Sequence, residues 1–209
     1  MLAVREIVRD DLRIMDLPPH FWGARFAEIS AQLCGDEGPL ADKISTYIRN
    51  IEENCRLGVG LMLCGPNGCG KTMAAAWLAK RLRSVGKTVL FMSASNMMDY
   101  KMQNRWFSDD VKYWDWSLEV DVLILDDLGK GEDASSGYSM IMWDKLFRHR
   151  HDQRYVTIIT TNIMEIEGWK SILKASTLEV LKESVVPFYL FGANRRDASV
   201  VELRSKMQQ

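Results

Sequence analysis

The sequence of 209 residues lacks the marks of several broad protein classes. It has no apolar run long enough to cross a bilayer, which excludes a membrane-spanning helix. Its N-terminus, MLAVREIVRDDLRIM, has charges throughout and lacks the uninterrupted apolar core of a signal peptide. Its formal net charge of −1 excludes a strongly basic nucleic-acid binder, although a local basic groove is compatible with that value. We therefore expect a cytoplasmic protein with no membrane partner.

Cysteine is also scarce and shows no pairing pattern. Cys34, Cys55, Cys64 and Cys69 include no C-x-x-C pair and have no histidine at the spacing of a zinc site. Reduced thiols are the simplest interpretation. With 47% hydrophobic and 26% charged residues, the composition is typical of a folded globular protein, and the length suits one domain with a small appendage.

Five short apolar runs alternate with helical patterns along the chain. Such alternation predicts a parallel sheet covered by helices on both faces, a three-layer α/β fold. The predicted strands are 58–64, 88–93, 120–127, 155–162 and 185–192. The predicted helices are 1–15, 39–57, 72–84, 138–154 and one or two in 168–184, and the aromatic-rich stretch 94–118 is less regular.

The first predicted strand leads into a complete G-x-x-x-x-G-K-[ST] motif, which is the strongest signal in the chain. Its glycines let successive N–H groups point inward around an anion, and the helix that follows adds free amides and its dipole. Lys71 is placed to reach the β- and γ-phosphates of ATP, and the Thr72 hydroxyl to bind Mg²⁺. The predicted nucleotide-binding residues are Gly65, Pro66, Asn67, Gly68, Cys69, Gly70, Lys71, Thr72 and Met73.

Polar residues end two further predicted strands. Asp126 and Asp127 close VDVLILDD, and Asn162 closes YVTIITTN. The carboxyl ends of parallel strands form the ligand edge of a sheet, so these groups are expected near the loop, with the acids on a strand beside the loop strand. We assign Asp126 to Mg²⁺, and Asp127 and Asn162 to the attacking water. The alternative is a capped strand end, because DDLG is also good turn sequence.

The order of these parts points to the additional-strand class of P-loop ATPases, and no guanine-reading N-K-x-D follows the third strand. LMLCGPNGCGKTMAAAWLAKRLRSVGKTVLFMSASNMMDYKM, VDVLILDDLGKG and RYVTIITTN together resemble the AAA+ ATPase domain of DnaC-type helicase loaders and of the related IstB-type transposition helpers. The resemblance covers about residues 40–196. It implies an ATPase domain over 39–209 without a C-terminal helical lid. Family members commonly carry a separate N-terminal domain that grips the helicase, so either the short helical segment 1–38 binds that partner or the partner is a different one.

The resemblance also implies roles for particular residues. Arg195 or Arg196 would be the basic sensor of the nucleotide phosphates, with a surface arginine pair as the alternative. Lys182 stands near the place where the family has an arginine that acts on the ATP of a neighbouring subunit. Lysine lacks the bidentate fork of arginine, which predicts weaker or differently organised hydrolysis across a subunit boundary.

Basic residues occur among aromatic ones in the stretch that follows the second strand. The resemblance places single-stranded DNA there, and Lys101, Arg105 and Lys112 are the candidate contacts. Packing of the aromatic residues onto the domain is the competing interpretation, because neighbouring acids cancel the charge. A second basic patch, RHRHDQR at 148–154, is open to two interpretations, a DNA or subunit contact and a solvated helix end.

Three functions remain open at the level of sequence. The first is an ATP-driven loader of a replicative helicase that binds single-stranded DNA and self-associates. The second is a transposition helper that assembles on duplex DNA. The third, a small-molecule P-loop kinase, requires a mobile lid bearing arginines, for which no segment was found.

Overall fold

A five-stranded parallel sheet forms the centre of the protein, and the computed structural model describes residues 6–24, 39–103, 112–130 and 137–191. The strand order is β2-β3-β4-β1-β5, and every neighbouring pair is parallel. The strands are β1 (Gly60–Cys64), β2 (Val89–Ser93), β3 (Val122–Leu128), β4 (Val156–Thr161) and β5 (Val185–Tyr189). All five predicted strands are therefore confirmed, with β5 shorter than predicted.

Helices cover both faces of this sheet, which confirms the three-layer α/β architecture. Their bounds are α1 (Arg9–Ile14), a 3₁₀ turn (Pro19–Phe21), α2 (Pro39–Arg49), α3 (Ile51–Leu57), α4 (Lys71–Ser84), α5 (Ala94–Gln103), α6 (Lys112–Glu119), α7 (Gly137–Asp152), α8 (Ile166–Ile172) and α9 (Ala175–Ser184). None of the helices in the described ranges has the length and apolar character needed to span a membrane.

Alternation along the strands divides the core into two layers, because successive strand side chains point to opposite faces. On one face Leu61, Leu63 and Ile124 pack with α4, α2 and the N-terminal residues. On the other face Met62 and Leu125 pack with the helices α5 to α9. The sheet is buried on both sides, which explains why its strands read as continuous apolar runs.

Helix α4 lies close against the sheet because its inner face carries small side chains. Ala74, Ala75, Ala76 and Ala79 are all buried there. Alanine has the highest helix propensity and adds little bulk, so the backbone of α4 is held near the strands. This packing fixes the position of Lys71, the first residue of the helix.

Several helices differ from their predicted bounds. The predicted helix 39–57 is two helices that meet at Asn50, and the predicted helix 1–15 is helical in its described part only over Arg9–Ile14. The stretch 94–118, expected to be less regular, contains α5 and the beginning of α6. Apolar periodicity continues across such breaks, so the pattern alone does not locate them.

The described N-terminal residues 6–24 pack directly on the core. Leu12, Met15 and Leu17 are buried in the same cluster as α4. The Phe91 amide of the edge strand β2 donates to the Met15 carbonyl at 2.7 Å. Asp11 pairs with Arg83 of α4 at 3.0 Å between the Asp11 Oδ1 and Arg83 Nε atoms. These contacts cover one edge of the sheet.

Candidate functional site

The predicted site residues meet at the carboxyl edge of the sheet. The glycine-rich loop, residues 65–70, joins β1 to α4, and Asn162 directly follows β4. Since β4 lies between β1 and β3, the loop has Asn162 as its direct neighbour, and the acids of β3 lie one strand further away. The expectation that the acidic strand adjoins the loop strand is therefore wrong.

Glycine is required at several positions of the loop. Gly68 and Gly70 have φ angles of 78° and 98°, in the left-handed region that side chains with a Cβ rarely adopt. Gly65 is closely approached by the backbone carbonyl of Leu190, so a Cβ at this position would collide with it. The loop therefore curls tightly over the end of β1, as the motif predicts.

The Lys71 ammonium lies inside this curl, and the residue as a whole is 5% exposed. It donates to the carbonyl oxygens of Gly65 and Pro66 at 2.8 Å each and to Asn162 Oδ1 at 2.8 Å. An ammonium has three N–H donors, so these bonds use all of its capacity. Phosphate oxygens that bound to Lys71 would replace neutral acceptors of this set with charged ones, which make stronger hydrogen bonds.

Asn162 links the loop to the end of β4. Its Oδ1 accepts from Lys71, and its Nδ2 donates to Asn67 Oδ1 at 2.9 Å. One side-chain amide thus contacts both the loop, at Asn67, and the first residue of α4. The structure therefore places Asn162 against the loop, where the sequence order predicts it.

Asp126 is 9% exposed and lies among hydroxyl groups. Thr160 Oγ1 donates to Asp126 Oδ1 at 2.6 Å. Burial raises the pKa of the Asp126 carboxyl, while hydrogen bonds from Thr160 and Thr72 oppose that rise. The carboxylate of Asp126 and the hydroxyl of Thr72 therefore lie together, and hard oxygen donors of this kind suit Mg²⁺.

Asp127, next to Asp126 in the chain, has an unusual backbone conformation. Its φ angle of 57° lies in the left-handed region, which is uncommon for a residue other than glycine. Its amide donates to Thr160 Oγ1 at 2.9 Å, and its Oδ2 accepts from Lys130 Nζ at 2.9 Å. The Asp127 side chain is 30% exposed, so the second acid faces a wetter environment than the first.

Of the three candidate DNA contacts, the structure describes the side-chain surroundings of Lys101 alone. Lys101 lies over the Trp114 ring, with its Nζ 4.2 Å from the ring centroid, and burial, with the nearby Lys145, lowers its pKa. Lys112 is the first residue of α6, and Arg105 lies outside the described residues. The structure therefore brings Lys101 into contact with an aromatic residue of the following helix.

The aromatic residues of this region pack on one another. Tyr100 and Tyr113 are stacked with ring centroids 4.7 Å apart, and Tyr113 contacts Trp116 at 6.2 Å. All three are partly buried against the core, whereas Trp114 is fully buried. Packing onto the domain therefore accounts for these side chains in large part.

Two further predictions concern the end of the chain. Lys182 of α9 pairs with Glu179 of the same helix at 2.6 Å and is mostly exposed. It borders a shallow apolar groove whose lining includes Trp169, Leu178 and Pro187. Arg195 and Arg196 lie outside the described residues.

Sequence reasoning missed two buried polar residues. Thr160 contacts both Asp126 and Asp127, and only its place two residues before Asn162 could have signalled it. Arg150, read above as part of a basic surface patch, is 1% exposed. Its guanidinium donates to the carbonyls of Ser117 and Val156 at 2.7 and 2.6 Å, so neither surface interpretation holds for this arginine.

The G-x-x-x-x-G-K-[ST] loop after β1, the two acids on β3 and the amide after β4 meet at one edge of a parallel sheet, and together they define a P-loop nucleotide-binding domain. The family model described as IstB-like ATP binding protein matches residues 49–181. The chain belongs to this IstB-like family of ATP-binding proteins. A comparison with curated protein sequences gave no match.

Several solved structures share this fold. DnaI aligns with a TM-score of 0.69 at 19% identity, over 90% of this chain and 100% of that chain. The DnaC helicase loader aligns with a TM-score of 0.69 at 21% identity, over 83% and 100%. The replication initiator DnaA bound to AMPPCP and single-stranded DNA gives 0.65 at 16% identity, over 90% and 56%. At these identities the likeness establishes the fold.

Proposed function

We propose that this protein binds ATP with Mg²⁺ and hydrolyses ATP as a molecular switch of DNA replication, most simply as a loader of a replicative helicase. The carrying observation is the convergence of Lys71, Asn162, Asp126 and Asp127 at one edge of the sheet. Similarity in fold to the DnaC helicase loader and to DnaI supports the assignment to replication.

In this proposal the loop amides and Lys71 hold the ATP phosphates. Residues 65–70 curl so that backbone N–H groups can face an anion, and α4 adds the positive end of its dipole. Lys71 already touches Gly65 and Pro66, so phosphate oxygens that enter the loop lie within its reach. The remaining predicted contacts from the chain are Asn67, Gly68, Cys69, Gly70, Met73, Arg195 and Arg196.

Thr72 and Asp126 would hold Mg²⁺, since their oxygens lie together and burial disfavours an unpaired Asp126 carboxylate. Bound there, the cation would neutralise charge on the β- and γ-phosphates. Asp127 would accept a proton from the attacking water, and Asn162 would orient that water beside the γ-phosphate. Because Asn162 also contacts Lys71, the two groups would respond together to the bound phosphate.

The partners follow from the same proposal. A replicative helicase, single-stranded DNA and further copies of this chain are the expected partners, with Lys101, Arg105 and Lys112 as DNA contacts. Hydrolysis across a subunit boundary would rely on Lys182. Pairing of Lys182 with Glu179 on its own helix supports weak participation, because the ammonium already has a charged partner.

The family match supports a second candidate. IstB-like proteins share the model that covers residues 49–181, so a transposition helper that acts on duplex DNA is the alternative function. A small-molecule kinase has less support. Such an enzyme needs a lid that carries arginines over the transferred phosphate, and the family match gives no indication of a lid or of a small-molecule substrate.

The deciding experiment measures ATP turnover with single-stranded DNA, with duplex DNA and with a replicative helicase. Stimulation by single-stranded DNA or by the helicase is the result expected of a loader. Stimulation by duplex DNA alone would contradict the loader and favour the transposition helper. Phosphoryl transfer to a metabolite would contradict both DNA functions.

A further inference from the structure

The strand β3 contains a β-bulge at the two acids. Leu125 pairs with Ile159 and Leu128 pairs with Thr161, so two residues of β3, Asp126 and Asp127, lie opposite the single residue Thr160 of β4. Bulges of this kind are rare between parallel strands and serve to redirect side chains. Without this bulge, the side chains of Asp126 and Asp127 would point to opposite faces of the sheet.

The Thr160 hydroxyl closes the gap that the bulge makes. It donates its proton to Asp126 Oδ1 at 2.6 Å and accepts the Asp127 amide proton at 2.9 Å. Thr160 is fully buried, with 0% exposure. In a dry site the hydroxyl has no competing water partner, so its two bonds fix both neighbours.

The Asp127 conformation depends on this contact. At a φ of 57° the Asp127 amide is turned away from the regular ladder and meets the Thr160 side chain instead of a backbone carbonyl. Left-handed conformations of non-glycine residues cost free energy and persist where surrounding contacts hold them. One hydroxyl therefore holds the carboxylate of one acid and the backbone of the other.

We propose that Thr160 is a positioning residue that sets Asp126 for the cation and Asp127 for the water at the same time. The inference rests on the proposed function, because it concerns the same Mg²⁺ and water. Outer contacts that orient a metal-binding group are commonly worth about 10- to 100-fold in metal affinity or activity.

The chain offers a matched control at Thr177. This residue is also 0% exposed, and its hydroxyl donates to Asp144 Oδ1 at 2.6 Å, the same bond length as at Thr160. Thr177 lies in α9, away from the loop and the two acids. A Thr177→Val change thus removes a hydrogen bond of the same length and kind, from a buried hydroxyl to a partly exposed carboxylate, without touching the proposed site.

The experiment compares the full-length chain with its Thr160→Val, Thr160→Ser and Thr177→Val variants. Binding of a fluorescent ATP analogue is measured over a Mg²⁺ titration and in EDTA, and ATP turnover is measured beside it. For Thr160→Val we expect a roughly 10- to 100-fold loss of turnover and about a tenfold higher Mg²⁺ requirement for binding, with binding in EDTA unchanged. Thr160→Ser keeps the hydroxyl and should stay within about threefold of the original chain.

Several results would overturn the inference. One is a Thr160→Val variant whose Mg²⁺ requirement and turnover match those of Thr177→Val, and another is a Thr160→Ser variant as impaired as Thr160→Val. If the valine variant does not fold, Thr160→Cys, whose thiol is a weak donor, is measured instead and is expected to lie between serine and the loss predicted for valine. If the unsubstituted protein binds no ATP in the presence of Mg²⁺, the proposed function itself is refuted.

Discussion

Lys71 and Arg150 are both buried cations, yet they lie at opposite ends of the same sheet. Lys71 is 5% exposed at the carboxyl end, and Arg150 is 1% exposed at the amino end, near the beginnings of β3 and β4. The acceptors of both are mainly backbone carbonyls. Burial alone therefore does not separate a site residue from a structural one.

The difference lies in what each cation contacts. Lys71 bonds to the glycine-rich loop and to the side chain of Asn162, and its compact ammonium can exchange these neutral acceptors for phosphate oxygens. Arg150 uses a planar fork to tie the end of α6 to Val156 and Thr157 of β4. Burial lowers the pKa of Arg150 to about 9, so it keeps its charge at neutral pH. Exchangeable partners therefore distinguish Lys71, the proposed phosphate-binding cation, from Arg150, whose partners are fixed by the strands and helix that it joins.

Replacement of Lys71 by alanine is expected to have the largest effect. Hydrogen bonds to charged groups contribute about 1.5–3 kcal/mol each. Loss of two such bonds to phosphate would weaken ATP binding by at least about a hundredfold, which amounts to loss of measurable binding. The fold should remain intact, although the carbonyls of Gly65 and Pro66 lose their donor and the free energy of unfolding falls by about 1–3 kcal/mol. Titration with a fluorescent ATP analogue provides the measurement, and retained tight binding would show that the loop has another role.

Replacement of Arg150 by alanine should produce the opposite pattern. The carbonyls of Ser117, Val120 and Val156 would lose their donor, and the expected cost is about 3–5 kcal/mol of the free energy of unfolding. The ATP affinity of the folded fraction should change less than about threefold. Denaturant unfolding measures the first quantity. A variant that loses ATP binding but keeps its stability would break the comparison.

Replacement of Asp127 by asparagine tests the catalytic role of the Asp127 carboxylate while the backbone conformation of the residue is preserved. Asparagine tolerates the left-handed region, so the bulge should persist. We expect unchanged ATP binding and a turnover lower by about 100-fold, because the proton acceptor is lost. Binding and turnover measured on the same preparation test this expectation, and normal hydrolysis would refute the role of Asp127.

Replacement of Asp126 by asparagine should raise stability slightly. Burial raises the pKa of Asp126, so the folded state binds its proton more tightly than the unfolded state, and stability falls as pH rises through that interval. At neutral pH the variant should melt about 2–4 °C higher, equivalent to about 1 kcal/mol. The difference should shrink as pH falls and Asp126 becomes protonated. Melting curves across pH test this, with Asp127→Asn as the more exposed control.

The strands and the loop could be predicted because their signals are local. Apolar runs such as VLIL and the spacing of Gly65 to Thr72 depend on neighbours in sequence. The bulge at Asp126 and Asp127 could not be predicted, since it arises from pairing with Thr160, a residue of another strand. DDLG reads as the end of a strand, whereas β3 continues through Leu128.

Arg150 shows why the charge pattern of residues 148–154 did not predict the structure there. RHRHDQR reads as a charged helix end, and most arginines in such sequences face water. Its burial depends on backbone carbonyls of α6 and β4 that accept its N–H groups at the amino end of the sheet. Backbone acceptors that come from distant parts of the chain cannot be predicted from local composition or from residue spacing.

Residues 6–24 cover the β2 edge of the sheet, and this limits how the predicted binding of a partner by the N-terminal segment can be tested. Leu12, Met15 and Leu17 are part of the core, and Asp11 and the Met15 carbonyl have partners in the domain. Deletions or alanine scans through residues 6–24 would thus report unfolding and lost recognition as one signal. Val8 and Ile14, which are 55% and 50% exposed, can be changed with little disturbance to the core. They are the apolar side chains of this segment at which affinity for a helicase can be measured separately from folding.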